Sequence, residues 1–267
     1  MSSSADACHI WWCPTGLLAF LPIHAAGVYP ELDGESGPRL SDYVISSYTP
    51  NLAPLLRKIH TNIHSNPQLL TVSLPEESQL RGTAKEVECI NSHASKSFHV
   101  MNLLELEATA ANVSQAMQNS SWVHFACHGV QHPSKPTKSC LLLSGHTELK
   151  LSDIINLQLT NAQLVYLSAC QTATGDEKLQ DEAVYLAAGM LLAGFQGVIA
   201  TMWTIDDEFS VKVADETYRL LFDQYKAVSS HAAEALHFAT KKVQEDRRAQ
   251  GKKVSFLDWV PFIHMGM

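Results

Sequence analysis

His128 and Cys170 are the residues of this chain best placed to carry out covalent chemistry. Each ends a short apolar run, WVHFACHG (122–129) for the histidine and AQLVYLSAC (162–170) for the cysteine. A thiolate is a strong nucleophile, but a free thiol titrates near about 8.5, so it needs a base or a lowered pKa to act at neutral pH. An imidazole is a suitable base. Attack on a carbonyl also needs N–H donors facing the developing oxyanion. Gly129 lets the backbone come close to a substrate, and its N–H and that of Cys170 are the candidate donors. A cysteine in an apolar strand is ordinarily a packed core side chain, and Cys89, Cys127 and Cys140 are read that way. Position separates Cys170 and His128 from the rest of the six cysteines and 13 histidines. In open α/β sheets, ligand sites lie beyond the carboxyl ends of the strands.

The elements that must hold these two residues follow from the pattern around them. From Gln68 onward short apolar runs alternate with helical segments: LLTVSL, a helix over 84–93, SFHVMNLL, a helix from Thr109 to Gln118, then WVHFACHG. Thr83 and Glu86 form a T-x-x-E capping signature for the first of these helices. CLLLSGHTELKL reads as a hairpin turned at Ser144-Gly145-His146, followed by a short helix from Ser152 to Leu157 and the strand AQLVYLSAC. A helix from Asp181 to Ala193, the strand VIATMW, an amphipathic helix from Glu208 to Asp223 and a helix from Ser230 to about Arg247 complete the series. Such alternation implies βαβ units and a mainly parallel sheet. The first sixty residues read differently, as a meander of the short strands HIWW, GLLAFLPI and DYVISSYT. The aromatic tail SFLDWVPFIHMG is expected to pack down.

Composition removes several classes of function. At 267 residues, 46% hydrophobic and 17% charged, the chain is an ordered globular protein with room for a large core. A net charge of -8 argues against binding nucleic acid by general electrostatics. The cysteines show no CxxC pair, which fits free thiols in a reducing, cytoplasmic setting. MSSSADACHIWW lacks the features of a signal peptide, so the sequons at Asn112 and Asn119 carry no weight. Residues 183–203 are long and apolar enough for a membrane span. Their glycines and acidic flanks instead predict a buried helix, a turn and a core strand, and no membrane partner is expected. There is no HExxH, no Walker A, no G-x-G-x-x-G and no G-x-S-x-G, so neither metal, nucleotide cofactor nor serine nucleophile is expected. The basic cluster from Lys241 to Lys253 is read as a solvated helix end.

HFACHG, then LSACQTATGDE with its cysteine 42 residues after the histidine, then LLAGFQGVIATMWTIDD, together resemble the CHAT domain. This is a caspase-like domain often attached to tetratricopeptide repeats and related to caspases and separases. WWCPTGLLAFLPIHAA, SSYTPNL, LRGTAKEVECI and WVPFIHMG fall where that family has similar segments, so the resemblance spans nearly the whole chain. It implies a caspase-like three-layer α/β/α fold with a mainly parallel central sheet. A single domain over 1–267 would combine an N-terminal β-rich segment (1–60) with a caspase-like core (68–267). It implies a His/Cys dyad at His128 and Cys170, and hence a cysteine endopeptidase that cleaves a protein or peptide substrate. Such a domain would be the effector module of a larger signalling protein with a tetratricopeptide-repeat region or a regulatory partner. The other class of function is a signalling or scaffolding module with this fold and little or no peptidase activity, because fold does not guarantee chemistry.

Relatives use an acidic pocket for a basic P1 side chain, which the resemblance carries to Asp206 or Asp207 after the VIATMW strand. An Asp-Asp-Glu run before a helix also suits the helix dipole, so both roles stand. Asp176 and Glu177, loop residues beside Cys170, are candidates for the pocket entrance, and Asp181 for a helix cap.

Overall fold

The computed structural model describes residues 8–29, 37–56, 67–74, 82–94, 97–130, 132, 135–168, 183–203 and 205–267. Two strands, β1 (Cys8–Trp12) and β2 (Val44–Tyr48), flank 3-10 turns over Gly16–Phe20 and Ile23–Ala25, and a single helical turn α1 (Ala53–Leu56) follows. This differs from the meander that the sequence suggests. β1 and β2 pair in parallel, Cys8 with Val44 through Trp12 with Tyr48, and GLLAFLPI turns instead of extending. Pro14 and Pro22 bracket that segment and remove backbone donors, and Gly16 adopts a φ of 59°. Leu17 and Leu18 are exposed, so the apolar run has no sheet face to cover.

The alternating part follows as β3 (Gln68–Ser73), α2 (Gly82–Ala94), β4 (His99–Leu104), α3 (Ala110–Asn119) and β5 (Trp122–Ala126). Thr109 caps α3, its hydroxyl accepting from the Asn112 N–H. A separate antiparallel ribbon comes next: β6 (His128–Val130), β7 (Cys140–Leu143) and β8 (Thr147–Lys150), with the β7–β8 turn at Ser144–His146 as expected. Then come α4 (Leu151–Asn156), β9 (Leu164–Leu167), α5 (Ala183–Ala193), β10 (Gly197–Thr201), α6 (Asp207–Arg219) with a π turn at Leu220–Gln224, α7 (Ala232–Ala249), the short α8 (Phe256–Trp259) and β11 (Phe262–Gly266).

Eight of the described strands form one sheet in the order β1-β2-β11-β10-β9-β5-β3-β4. All its pairings are parallel except that of β11 with β10, so β4, β3, β5, β9 and β10 run one way and β11, β2 and β1 the other. The reversal comes from the aromatic tail: β11 runs back beside β10 with all five residues buried. The N-terminal strands thus extend the central sheet.

Alternate residues of each strand feed two cores. Leu70, Val72, Val123, Phe125, Val165 and Leu167 pack with α3, α4 and α5, while Leu69, Trp122, Leu164 and Ile199 pack with α2, α6 and α7. Helices on both faces make an α/β/α sandwich of three layers. The apolar stretch 183–203 is a helix, largely buried from Leu186 to Ala193 apart from the exposed Leu192, a turn at Gly194 and a core strand, and no described helix is long and apolar enough to cross a membrane.

Candidate active site

β5 and β9 are neighbours in parallel register, Trp122 level with Leu164 and Phe125 level with Leu167, an offset of 42 residues. The pairing runs on to Ser168, whose N–H donates to the Phe125 carbonyl at 2.9 Å. Beyond Ala126 the chain leaves the central sheet. Cys127 is buried, and His128-Gly129-Val130 cross into the antiparallel ribbon, opposite Leu142, Leu141 and Cys140. The apolar run WVHFACHG is therefore two strands and not one: the core strand stops at Ala126, and His128 opens β6. His128 is half-buried and Gly129 buried. Cys170 and Asp176 lie outside the described residues.

The acidic candidates after β10 separate. Asp206 is the N-cap of α6: its Oδ1 accepts from the Phe209 N–H at 3.1 Å and stands 3.8 Å from an Arg247 guanidinium nitrogen. Glu208 binds Lys212 at 2.7 Å and Lys252 at 3.3 Å, and these hydrogen bonds hold its carboxyl down at about 2. Asp207 does something different. It lines a small crevice, partly open to solvent, with Gly82, Thr83, Glu86, Ser168, Ser210 and Val211. A side chain at position 82 would come within 3.2 Å of Val211, so glycine keeps the α2 and α6 ends this close.

Glu86 is the residue that sequence reasoning missed. The T-x-x-E reading made it a capping side chain; instead it faces inward and is 2% exposed. Its Oε2 accepts from the Ser168 hydroxyl at 3.1 Å, and that hydroxyl stands 3.1 Å from Ser210 Oγ. Its Oε1 is 3.3 Å from Nε2 of His124, a fully buried β5 side chain whose Nδ1 lies 3.2 Å from the Tyr218 hydroxyl. Burial, then the charge of Glu86, pushes the phenols of Tyr166 and Tyr218 well above the usual tyrosine range. The signal was there in outline. α2 buries Thr83, Glu86, Val87, Ile90 and Ala94, one helical stripe with a carboxylate in it.

Three of the other thiols, Cys89, Cys127 and Cys140, are poorly suited to nucleophilic work. Cys127 and Cys140 are buried, and burial pushes the thiols of Cys140 and Cys89 up. Among the described residues no group of three His, Cys, Asp or Glu side chains could hold a metal ion.

Known proteins agree with this architecture. The family model of the CHAT domain matches residues 2–267. Among solved structures the chain is similar to separase of Saccharomyces cerevisiae in its complex with securin, at 14% identity and a TM-score of 0.54, covering 85% of this chain and 14% of that one. It is also similar to the complex of the pro- and mature domains of RgpB from Porphyromonas gingivalis, at 13% identity and a TM-score of 0.47, covering 74% of this chain and 47% of that one. The chain thus spans under half the length of either. At such identity the separase likeness shows a fold, the caspase-like one. No relative among curated proteins matches.

Proposed function

The chain belongs to the CHAT domain family, and on that premise we propose that it is a cysteine endopeptidase whose working pair is His128 and Cys170. One observation carries the reading. The offset between β5 and β9 is 42 residues, the same number that separates His128 from Cys170. In that register His128 lies two positions beyond Ala126 and Cys170 two beyond Ser168, the residue that follows β9. An imidazole and a thiol at equivalent register positions past adjacent strands suit a dyad at the carboxyl edge of the sheet.

In this mechanism the Cys170 sulfur attacks a peptide carbonyl carbon while His128 takes the thiol proton. The N–H groups of Gly129 and Cys170 stabilise the oxyanion. When the C–N bond breaks, His128 returns the proton to the leaving amine, and a thioester remains. A water molecule then gives its proton to His128 and adds to the thioester. Release of the acid returns the proton to sulfur. The crevice at Asp207 is the pocket for a basic P1 side chain, with Asp176 at its entrance. Asp206 contributes to it through the start of α6, its own carboxylate being engaged by the cap. On this reading the domain is the effector module of a larger, repeat-containing signalling protein of the cytoplasm.

A peptide library varied at P1 and read by mass spectrometry tests the proposal. Wild type should cleave after arginine or lysine, and Cys170→Ala and His128→Ala should abolish cleavage. Cleavage that survives both substitutions overturns the dyad. Absence of cleavage under all conditions, with or without a repeat-containing partner, favours the scaffolding role.

A further inference from the structure

Resting on that peptidase reading, we propose that Glu86 is a positioning residue, a single carboxylate that sets the ends of the two strands leading to the dyad. One of its oxygens is held by Ser168, the last described residue before the Cys170 segment, and the other stands 3.3 Å from His124, four residues before His128. Ser210 and Tyr218 of α6 close the network from the far side. Glu86 therefore touches β5, β9 and, through Ser168, α6.

Such a group is a poor way to gain stability. Taking a carboxylate and an imidazole out of water is costly, and apolar residues of the same volume often serve a core as well or better. Here the desolvation is only partly offset: Glu86 Oε1 and His124 Nε2 face each other at 3.3 Å, and the neighbouring Tyr166 hydroxyl is buried without a hydrogen-bond partner among the described residues. The polar cluster interrupts an otherwise aromatic and aliphatic layer, with the His124 ring 5.0 Å from Tyr166 and 5.6 Å from Tyr218. What it supplies is direction. A hydrogen bond to a charged acceptor fixes Ser168 more tightly than apolar contact does. Displacing reacting groups by 1 Å costs about 100-fold in rate.

The experiment compares wild type with Cys170→Ala, Glu86→Ala, Glu86→Gln and Ser168→Ala, on peptides with a basic and with a neutral P1 residue, with melting temperatures beside the kinetics. Cys170→Ala reports on the peptidase reading by itself: if it cleaves like wild type, that reading falls and the positioning role with it. If cleavage does depend on Cys170, Glu86→Ala and Ser168→Ala should each lower kcat about 10- to 100-fold with KM nearly unchanged, equally on both peptides. Iodoacetamide should label Cys170 more slowly in both variants, without any substrate present. Glu86→Gln, which retains an acceptor for Ser168, should recover part of the loss. A loss confined to the basic-P1 peptide makes Glu86 a pocket residue and overturns the proposal, as does an unchanged kcat. Should Glu86→Ala not fold, Ser168→Ala, which deletes one hydroxyl, decides on the same criteria.

Discussion

Replacing His264 with glutamine should remove a large part of the acid sensitivity of the fold. His264 sits in the middle of β11, 1% exposed, with Nδ1 2.7 Å from the Ser47 hydroxyl, which in turn meets His9 Nε2 at 2.7 Å. Burial, with a smaller contribution from His9, lowers its pKa from 6.5 to about 3. The nearby groups do little to help it take a proton. His24 and His237 are themselves lowered to about 4, Asp42 is engaged by Lys241 at 3.5 Å, and Glu234 acts on His9 and not on His264. The unfolded chain accepts a proton here below pH 6.5 and the native state does not, so stability is full above 6.5 and falls with pH until about 3. Between pH 7 and pH 5 this one imidazole costs about 2 kcal/mol, and about 5 kcal/mol at the acid limit. Urea unfolding of wild type and His264→Gln at both pH values measures it. The lost contact with Ser47 lowers the variant's stability at either pH and cancels in the comparison. Wild type should lose about 2 kcal/mol more than the variant between pH 7 and 5. Equal losses would refute the reasoning, because they would mean that His264 takes up its proton in the folded state as readily as in the unfolded one.

Three further outcomes can be checked. Iodoacetamide under native conditions should modify Cys170 well before Cys127 and Cys140, which are buried; equal labelling by peptide mapping counts against an activated thiol. Gly189→Ala should destabilise by about 1–3 kcal/mol in urea, because the new methyl would run into the Leu151 side chain where α5 packs on α4, and an unchanged midpoint argues against that packing. Asp206→Ala should cost about 1 kcal/mol through loss of the α6 cap, while Asp206→Asn or Asp206→Ser should retain most of the stability.

Much of the sheet was legible because its strands and helices announce themselves locally. LLTVSL, WVHFA and VIAT are short apolar runs between helical segments, and each is a buried strand in the order expected of βαβ units. The hairpin at Ser144–His146 was legible for the same reason, since Ser-Gly-His between two apolar runs is turn chemistry a reader can see, and Gly145 does adopt a φ of 64°. GLLAFLPI misled because an apolar run does not say whether any face awaits it. The T-x-x-E motif misled because a buried glutamate and a capping glutamate share the same spacing and differ only in what faces them.

The chain order of apolar runs, turns and helical stripes, together with the HG and SAC elements and their separation, determined the fold class and nominated His128 and Cys170. Periodicity and turn residues are local, so one dimension suffices to read them. Only the tertiary structure decided that β5 and β9 are neighbours offset by 42, that the tail reverses beside β10, and that Glu86 bridges Ser168 and His124. Those facts depend on pairings between residues far apart in the chain, whose hydrogen bonds and desolvation exist only once the layers have closed.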